Sequence, residues 1–282
     1  MPVINKTKPA VSRAQAAATS TVVDRIQSIG EGDLDGIKLS IYGQSGSGKT
    51  TFYSSFPDPI LSIICSGTSE LRSVAAEENK DRIDYVRIET PDEIRELIEY
   101  QRDTNKYKTI ALDHASSLQD VVLAEILGLK ELPAQSSWGL ATQQQWGQCA
   151  LQTKEYMRAL IGLKGVNTVI VAQEREFNVE SDVRGLMPHV GSALSPSVTG
   201  WLNAAVDYVC QTLVREQTVI VETKVGKVVV KTTKKTGIIE YCLRTRPDPV
   251  YMTKFRLPKG TFLPDVLVDP TYDKMMELIG GS

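Results

Sequence analysis

Eight consecutive residues near the start of the chain have the types and spacing to hold a polyphosphate: Gly43-Gln44-Ser45-Gly46-Ser47-Gly48-Lys49-Thr50. In the pattern Gly-x-x-x-x-Gly-Lys-Thr the glycines let the backbone turn tightly, so its N–H groups point inward at phosphate oxygens. A helix opening at the end of the loop adds the positive end of its dipole. On this reading Lys49 meets the β- and γ-phosphates, Thr50 places its hydroxyl on Mg²⁺, and Thr51 extends the cradle. A glycine turn with no ligand is the bland counterpart. The context argues against it, because an apolar strand precedes the loop and a helix follows.

A metal beside a triphosphate needs a second acid. Ile110-Ala111-Leu112-Asp113 supplies one, an apolar strand ending in aspartate about sixty residues further on. This Walker B pattern is weak alone and gains weight after a P-loop. Asp113 is expected to hold Mg²⁺ through water; otherwise it caps the next helix. His114 follows directly and reads either as a packed or exposed histidine or as a sensor of phosphate or substrate. The guanine signature Asn-Lys-x-Asp is absent, and Asp182-Val183-Arg184-Gly185 lies well after the Walker B strand. ATP is therefore favoured over GTP.

The elements that must position these residues follow from periodicity. Residues 37–42 alternate as a strand feeding the loop, and 50–56 form a helix that Pro57 ends. Residues 59–65, 109–112 and 168–172 are apolar runs typical of strands buried on both faces; 85–88 is a shorter strand. Helices are expected over 69–78, after Thr90-Pro91 with Thr90 as cap, over 117–128 and 142–163, and over 272–279. Residues 174–190 are polar and loop-like. Four later strands are expected at 207–214, 219–224, 227–232 and 238–245, with a turn at Val225-Gly226. Strands alternating with helices give an α/β fold, a mostly parallel sheet flanked by helices, with antiparallel edge hairpins toward the C-terminus. The domain reading is an N-terminal arm over 1–30, flexible or docking on a neighbour, a core over 31–264, and a C-terminal tail helix over 265–282.

Composition narrows the classes. Of 282 residues 41% are apolar and 23% charged, as in globular proteins, and the net charge is −2, which gives no support to a broad nucleic-acid surface. No run approaches the roughly 18–20 apolar residues of a membrane span. The 1–15 segment has no apolar signal core. Four scattered cysteines and two histidines form no metal-ligand pattern, so reduced thiols in a cytoplasm are the simple reading.

The order of P-loop, strand, helix, Walker B strand and helices, then Val169-Ile170-Val171-Ala172-Gln173, resembles the RecA-like recombinase core. It is closest to short, core-only phage ATPases implicated in single-strand DNA annealing and recombination. The resemblance spans about residues 37–264. It implies that Gln173 senses the γ-phosphate and passes its state to a DNA loop; the counterpart is a solvent-facing strand end. That loop would be 174–190, with Arg175 and Arg184 neutralising backbone charge and Phe177 stacking on bases; an ordinary polar loop is the counterpart. A first DNA loop would be 130–146, with Lys130 and Trp138, the latter equally a core residue. Met252-Thr253-Lys254-Phe255-Arg256 resembles the Lys-x-Arg finger that reaches a neighbouring subunit's γ-phosphate. Two residues apart on a strand, Lys254 and Arg256 share a side; a solvated strand face is the counterpart. Lys224, Lys227, Lys231, Lys234 and Lys235 read as a solvated edge or a secondary DNA track.

One departure affects rate. Ser66 or Gly67 stands where the family carries the glutamate that polarises the attacking water, and Glu70 is the nearest substitute. The resemblance therefore implies an ATPase, slow and DNA-stimulated, that uses ATP with Mg²⁺. Its implied partners are single-stranded DNA, further copies in a head-to-tail ring or filament, and a single-strand-binding protein. A ring-shaped helicase or packaging motor, a small-molecule kinase, and a nucleotide-gated scaffold without DNA are the competing classes.

Overall fold

The computed structural model describes residues 36–65, 69–77, 80–130, 132, 141–181, 185–225, 228–257 and 260–280. The arm expected over 1–30 lies outside them, as do Trp138, Arg184 and the side chain of Glu70.

Strand β1 (Lys38–Gly43) leads into α1 (Lys49–Ser54). Then come β2 (Ile60–Ile64), α2 (Ser69–Ala75), β3 (Ile83–Arg87), α3 (Glu93–Thr104), β4 (Thr109–Asp113), α4 (Ala115–Ile126) and α5 (Gln143–Ile161). The second half holds β5 (Asn167–Ser181), β6 (Gly185–Ser192), α6 (Pro196–Ala205), β7 (Tyr208–Val225), β8 (Val228–Arg244), β9 (Lys254–Phe255), β10 (Val266–Val268) and α7 (Tyr272–Gly280). The sheet order is β10-β8-β7-β1-β5-β4-β2-β3, with β6 paired to β5 and β9 to β7. From β7 to β3 every neighbouring pair is parallel; β8, β10, β6 and β9 join antiparallel. The expected α/β sheet with antiparallel additions is thus present.

Side-chain alternation sorts the core into two faces. Leu39, Ile41, Ala111, Val169 and Val171 pack with Phe52, Tyr53 and Phe56 of α1 and Met275 of α7. Tyr42, Ile110, Leu112, Ile170 and Ala172 pack with α3, α4, α5 and α6 on the other. Strands covered on both faces carry apolar residues on both, which is why β2, β4 and the first part of β5 read as apolar runs.

Several expectations are corrected. Residues 174–190 are not a loop: β5 continues to Ser181 and folds back on β6, with Glu174 opposite Ser192 and Phe177 opposite His189. Past Gln173 the described side chains of β5 are exposed or half-buried, which fits the polar composition, while Val190 near the end of β6 joins the core. The four later strands are two long ones. β7 and β8 pair from Gln211↔Arg244 to Val225↔Val228 with one irregularity between Glu216 and Thr218. Helix α3 starts two residues after Pro91, with Asp92 rather than Thr90 at the cap position. β6 and α6 were not anticipated.

The helix expected over 272–279 is α7, and it packs on the core. Leu267 pairs with Leu243 of β8, Tyr272 N–H donates to Ser55 Oγ, and the Phe56 and Tyr272 rings lie 5.0 Å apart. Met275 is fully buried. Met275→Ala should therefore cost about 2–5 kcal/mol, read as a lower denaturant midpoint with an unchanged slope. A change below about 0.5 kcal/mol would contradict the packing of α7 on α1.

Candidate functional site

The phosphate loop lies where β1 ends and α1 begins. Gly43 is fixed by contact: a Cβ there would meet Thr212 Oγ1 at 2.3 Å and Ser47 Oγ at 2.7 Å. Gly48 is fixed by conformation, with φ 86° in the left-handed region. It offers no side-chain cap, so the amides of the first helical turn keep their donors for a ligand. Ser47 tightens the loop through Gln44 O at 2.7 Å and Thr212 Oγ1 at 2.6 Å.

Lys49 Nζ donates to Gly43 O at 2.8 Å and Gln44 O at 2.7 Å, so its charge stays under the loop. Burial pulls its ammonium below the usual lysine range, against the opposing pull of Asp113 and Glu174. Asp113 ends β4 and is buried. Tyr53 of α1 donates its hydroxyl to Asp113 Oδ2 at 3.1 Å. Burial first, then the Asp113 charge, pushes the Tyr53 phenol well up, so it remains a neutral donor that orients the carboxylate. Asp113 is not the helix cap: His114 caps α4 by accepting from Ser117 N–H.

One cavity of about 630 Å³ brings these groups together. It is lined by the loop from Ser45 through Thr51 and by Asp113, His114 and Gln173. This volume suits a small organic ligand. Lys49, Thr50 and the loop amides fit phosphate oxygens, and Thr50 and Asp113 are the residues that would hold a Mg²⁺ ion beside them. Gln44 itself points elsewhere: its amide donates to Glu174 Oε1 at 3.4 Å.

That contact starts a polar chain that sequence reading missed. Glu174 Oε2 accepts from Gln211 Nε2 at 2.7 Å, Gln211 Oε1 accepts from Arg244 Nε at 2.9 Å, and Arg244 pairs with Asp248 at 3.0 Å. The chain links the P-loop, the residue after Gln173 and the long β7–β8 hairpin. Also missed were Glu77, Tyr241 and the Asp269–Thr271 segment, all of which line the cavity. Glu77 accepts from Thr51 Oγ1 at 2.8 Å and Ser54 Oγ at 3.2 Å. Nothing in their local sequence marks these residues; only the strand order brings them here.

Of the DNA-loop residues, Arg175 is exposed on β5 and Phe177 is half-buried beside it. Lys130 is exposed just past α4. Lys254 and Arg256 do share a side, as expected, and it faces the C-terminus of α6. Lys254 Nζ donates to the carbonyls of Asn203, Ala204 and Val206 at 2.7, 3.2 and 2.6 Å. Arg256 pairs with Asp207 at 2.8 Å and also reaches Ala204 O. Lys231, Lys234 and Lys235 are exposed on β8, where Lys231 pairs with Glu222 and Lys235 with Glu216. Among the described residues no cluster of three or more His, Cys, Asp or Glu forms a metal site, and no helix is long and apolar enough to cross a membrane. The four cysteines are buried thiols in no disulfide.

Comparison with known proteins follows this geometry. The family described as "AAA domain" matches residues 35–257. No curated protein sequence matches the chain. Among solved structures it is similar to the KaiC-like protein PH0186 of the archaeon Pyrococcus horikoshii OT3, at 12% identity and TM-score 0.36, covering 84% of this chain and 90% of that one. It is also similar to the flagellar accessory protein FlaH of Methanocaldococcus jannaschii, at 10% identity and TM-score 0.40, covering 83% and 87%.

Lys49→Ala should weaken triphosphate binding about 100-fold, since two charge-assisted bonds at roughly 1.5 kcal/mol each are lost. Asp113→Asn keeps an acceptor for Tyr53 and should instead remove the dependence of binding on Mg²⁺. Titration with a fluorescent nucleotide, with and without the metal, reads both; Mg²⁺-dependent binding that survives Asp113→Asn would contradict the metal assignment.

Proposed function

Since the chain belongs to the AAA-domain family, we propose that it binds ATP with Mg²⁺ and is a slow ATPase that presents a nucleotide-gated surface to single-stranded DNA. One observation carries this reading. Gln173 lines the phosphate cavity, and the same strand runs on without a break into the β5–β6 ribbon that bears Arg175 and Phe177. An amide at that position can donate to a γ-phosphate and accept from its surroundings. Whatever it senses is one residue from Glu174 and two from Arg175. Arg175 supplies charge for a phosphate backbone and Phe177 a ring for a base.

In the bound state Lys49 and the loop amides would neutralise the β- and γ-phosphates, and Asp113 would orient the metal's water shell. Mg²⁺ supplies further neutralisation of the leaving group. Glu70 is retained as the proposed residue that polarises the attacking water. The net charge of −2 is compatible with DNA binding if copies assemble and align their small basic ribbons along one strand. Annealing or strand exchange in a cytoplasm is the corresponding role, with a single-strand-binding protein as a further partner.

Assembly head-to-tail would bring one copy's finger to the next copy's γ-phosphate. Lys254 already spends its three donors on carbonyls at the end of α6 and just past it. Arg256 uses two of its five N–H groups on described residues. Arg256 is therefore the better finger, and Lys254 holds its strand against α6.

The test is ATP turnover with and without single-stranded DNA at two salt concentrations. We expect stimulation by DNA that fades as salt rises. Turnover indifferent to DNA at low salt would leave a nucleotide-gated scaffold and overturn the DNA reading. Arg256→Ala should keep ATP binding and lower DNA-stimulated turnover about 10³-fold; unchanged turnover would remove the finger in trans.

A further inference from the structure

The phosphate end of the cavity accounts for the loop, Lys49, Thr50, Asp113 and Gln173, yet the cavity continues to a second set of residues: Tyr241, Asp269, Pro270 and Thr271. We propose that this second set is the nucleoside half of the site, with Tyr241 covering the base and Asp269 accepting hydrogen bonds from the ribose hydroxyls. The proposal rests on the P-loop reading above and adds residues from the opposite end of the chain.

Tyr241 stands on β8, and its ring reaches the loop: a Cβ built on Gly48 would lie 3.3 Å from Tyr241 Cδ1. It is nevertheless 47% exposed, a large aromatic surface left open beside a polyphosphate cradle. The backbone fixes Tyr241 and Asp269 to each other, because Asp269 N–H donates to Tyr241 O at 2.8 Å. Lys274 Nζ clamps the same turn through Val268 O at 3.0 Å and Asp269 O at 2.8 Å. Asp269 is held at φ 47°, one of two non-glycine residues with positive φ among those described. The wall is therefore set before any ligand arrives.

Three carboxylates line the cavity, and their partners separate their roles. Asp113 accepts from Tyr53 at the phosphate end, and Glu77 accepts from Thr51 and Ser54 on the facing wall. The Asp269 side chain is exposed at the cavity wall and accepts no hydrogen bond from the described residues, so both its oxygens are open to solvent or a ligand. A carboxylate is an acceptor with two oxygens, and it repels phosphate, so Asp269 marks the end of the cavity that phosphate does not fill. The vicinal hydroxyls of a ribose are two donors matched to those two oxygens. The chemical class this selects is a ribonucleoside triphosphate over a deoxyribonucleoside triphosphate or a bare polyphosphate.

Displacement of a fluorescent ATP analogue from the full chain tests this, using ATP, 2′-deoxy-ATP and inorganic tripolyphosphate as competitors. The intact protein should hold ATP more tightly than 2′-deoxy-ATP, and both more tightly than tripolyphosphate. Asp269→Asn tolerates the same backbone conformation and should erase the gap between ATP and 2′-deoxy-ATP without weakening tripolyphosphate. Tyr241→Ala should weaken ATP about 10-fold, the loss of one stacked base, with tripolyphosphate unchanged, and Tyr241→Phe should restore it. If the ratio of ATP to tripolyphosphate affinity stays at its original value in both Asp269→Asn and Tyr241→Ala, the nucleoside assignment is overturned while the P-loop reading stands. If neither ATP nor tripolyphosphate displaces the analogue from the intact protein, both are overturned.

Discussion

The insertion of β5 between β1 and β4 is the constraint from which the site follows. Its register sets Gly43 opposite Gln173 on one side and Asp113 opposite Val171 on the other. One strand thereby brings the start of the glycine loop, the Asp113 carboxylate and the Gln173 amide to a single edge of the sheet. A slip of one residue would turn every side chain of β5 to the opposite face. Val169 and Val171, which pack toward α1, and Ile170 and Ala172, which pack toward α4 and α5, resist such a slip because both faces are covered.

From that edge the site grows in two directions. Toward the C-terminal strands, Thr212 of β7 closes the loop from below, Tyr241 of β8 packs beside Gly48, and the β10–α7 turn completes the wall. Away from the core, β5 leaves the sheet and becomes a ribbon with β6. The polar chain Gln44–Glu174–Gln211–Arg244–Asp248 runs across this junction. It ties the P-loop to β5, one residue past Gln173, and to the hairpin that holds Tyr241. A change in the loop on binding nucleotide therefore has hydrogen-bonded partners on both extensions.

What the sequence revealed follows the same division. The P-loop, the aspartate ending β4 and the buried parallel strands were legible because each is set by local needs: tight turns, an acid at a strand end, apolar residues on both faces. Residues 174–190 were misread because polar residues dominate the stretch, and strand pairing there is visible only once β6 is seen. The same cause split β7 and β8 into four pieces, since their outer halves are solvated. Tyr241 and Asp269 were illegible for another reason, lying nearly two hundred residues or more from Gly48 and reaching it only through the strand order. Lys254 and Arg256 were expected together on a strand; β9 ends at Phe255, and both side chains meet carbonyls at the C-terminal end of α6, a helix that was not anticipated.

On the proposed function, a nucleotide held by Lys49, Thr50 and Asp113 is felt through Gln173 in the β5–β6 ribbon. Amide hydrogen exchange with and without Mg²⁺ and a non-hydrolysable ATP analogue tests it most directly. The account predicts slowed exchange both in the 43–51 loop and along β5 and β6 beyond Gln173. Protection confined to the loop, with the ribbon exchanging as before, would contradict it.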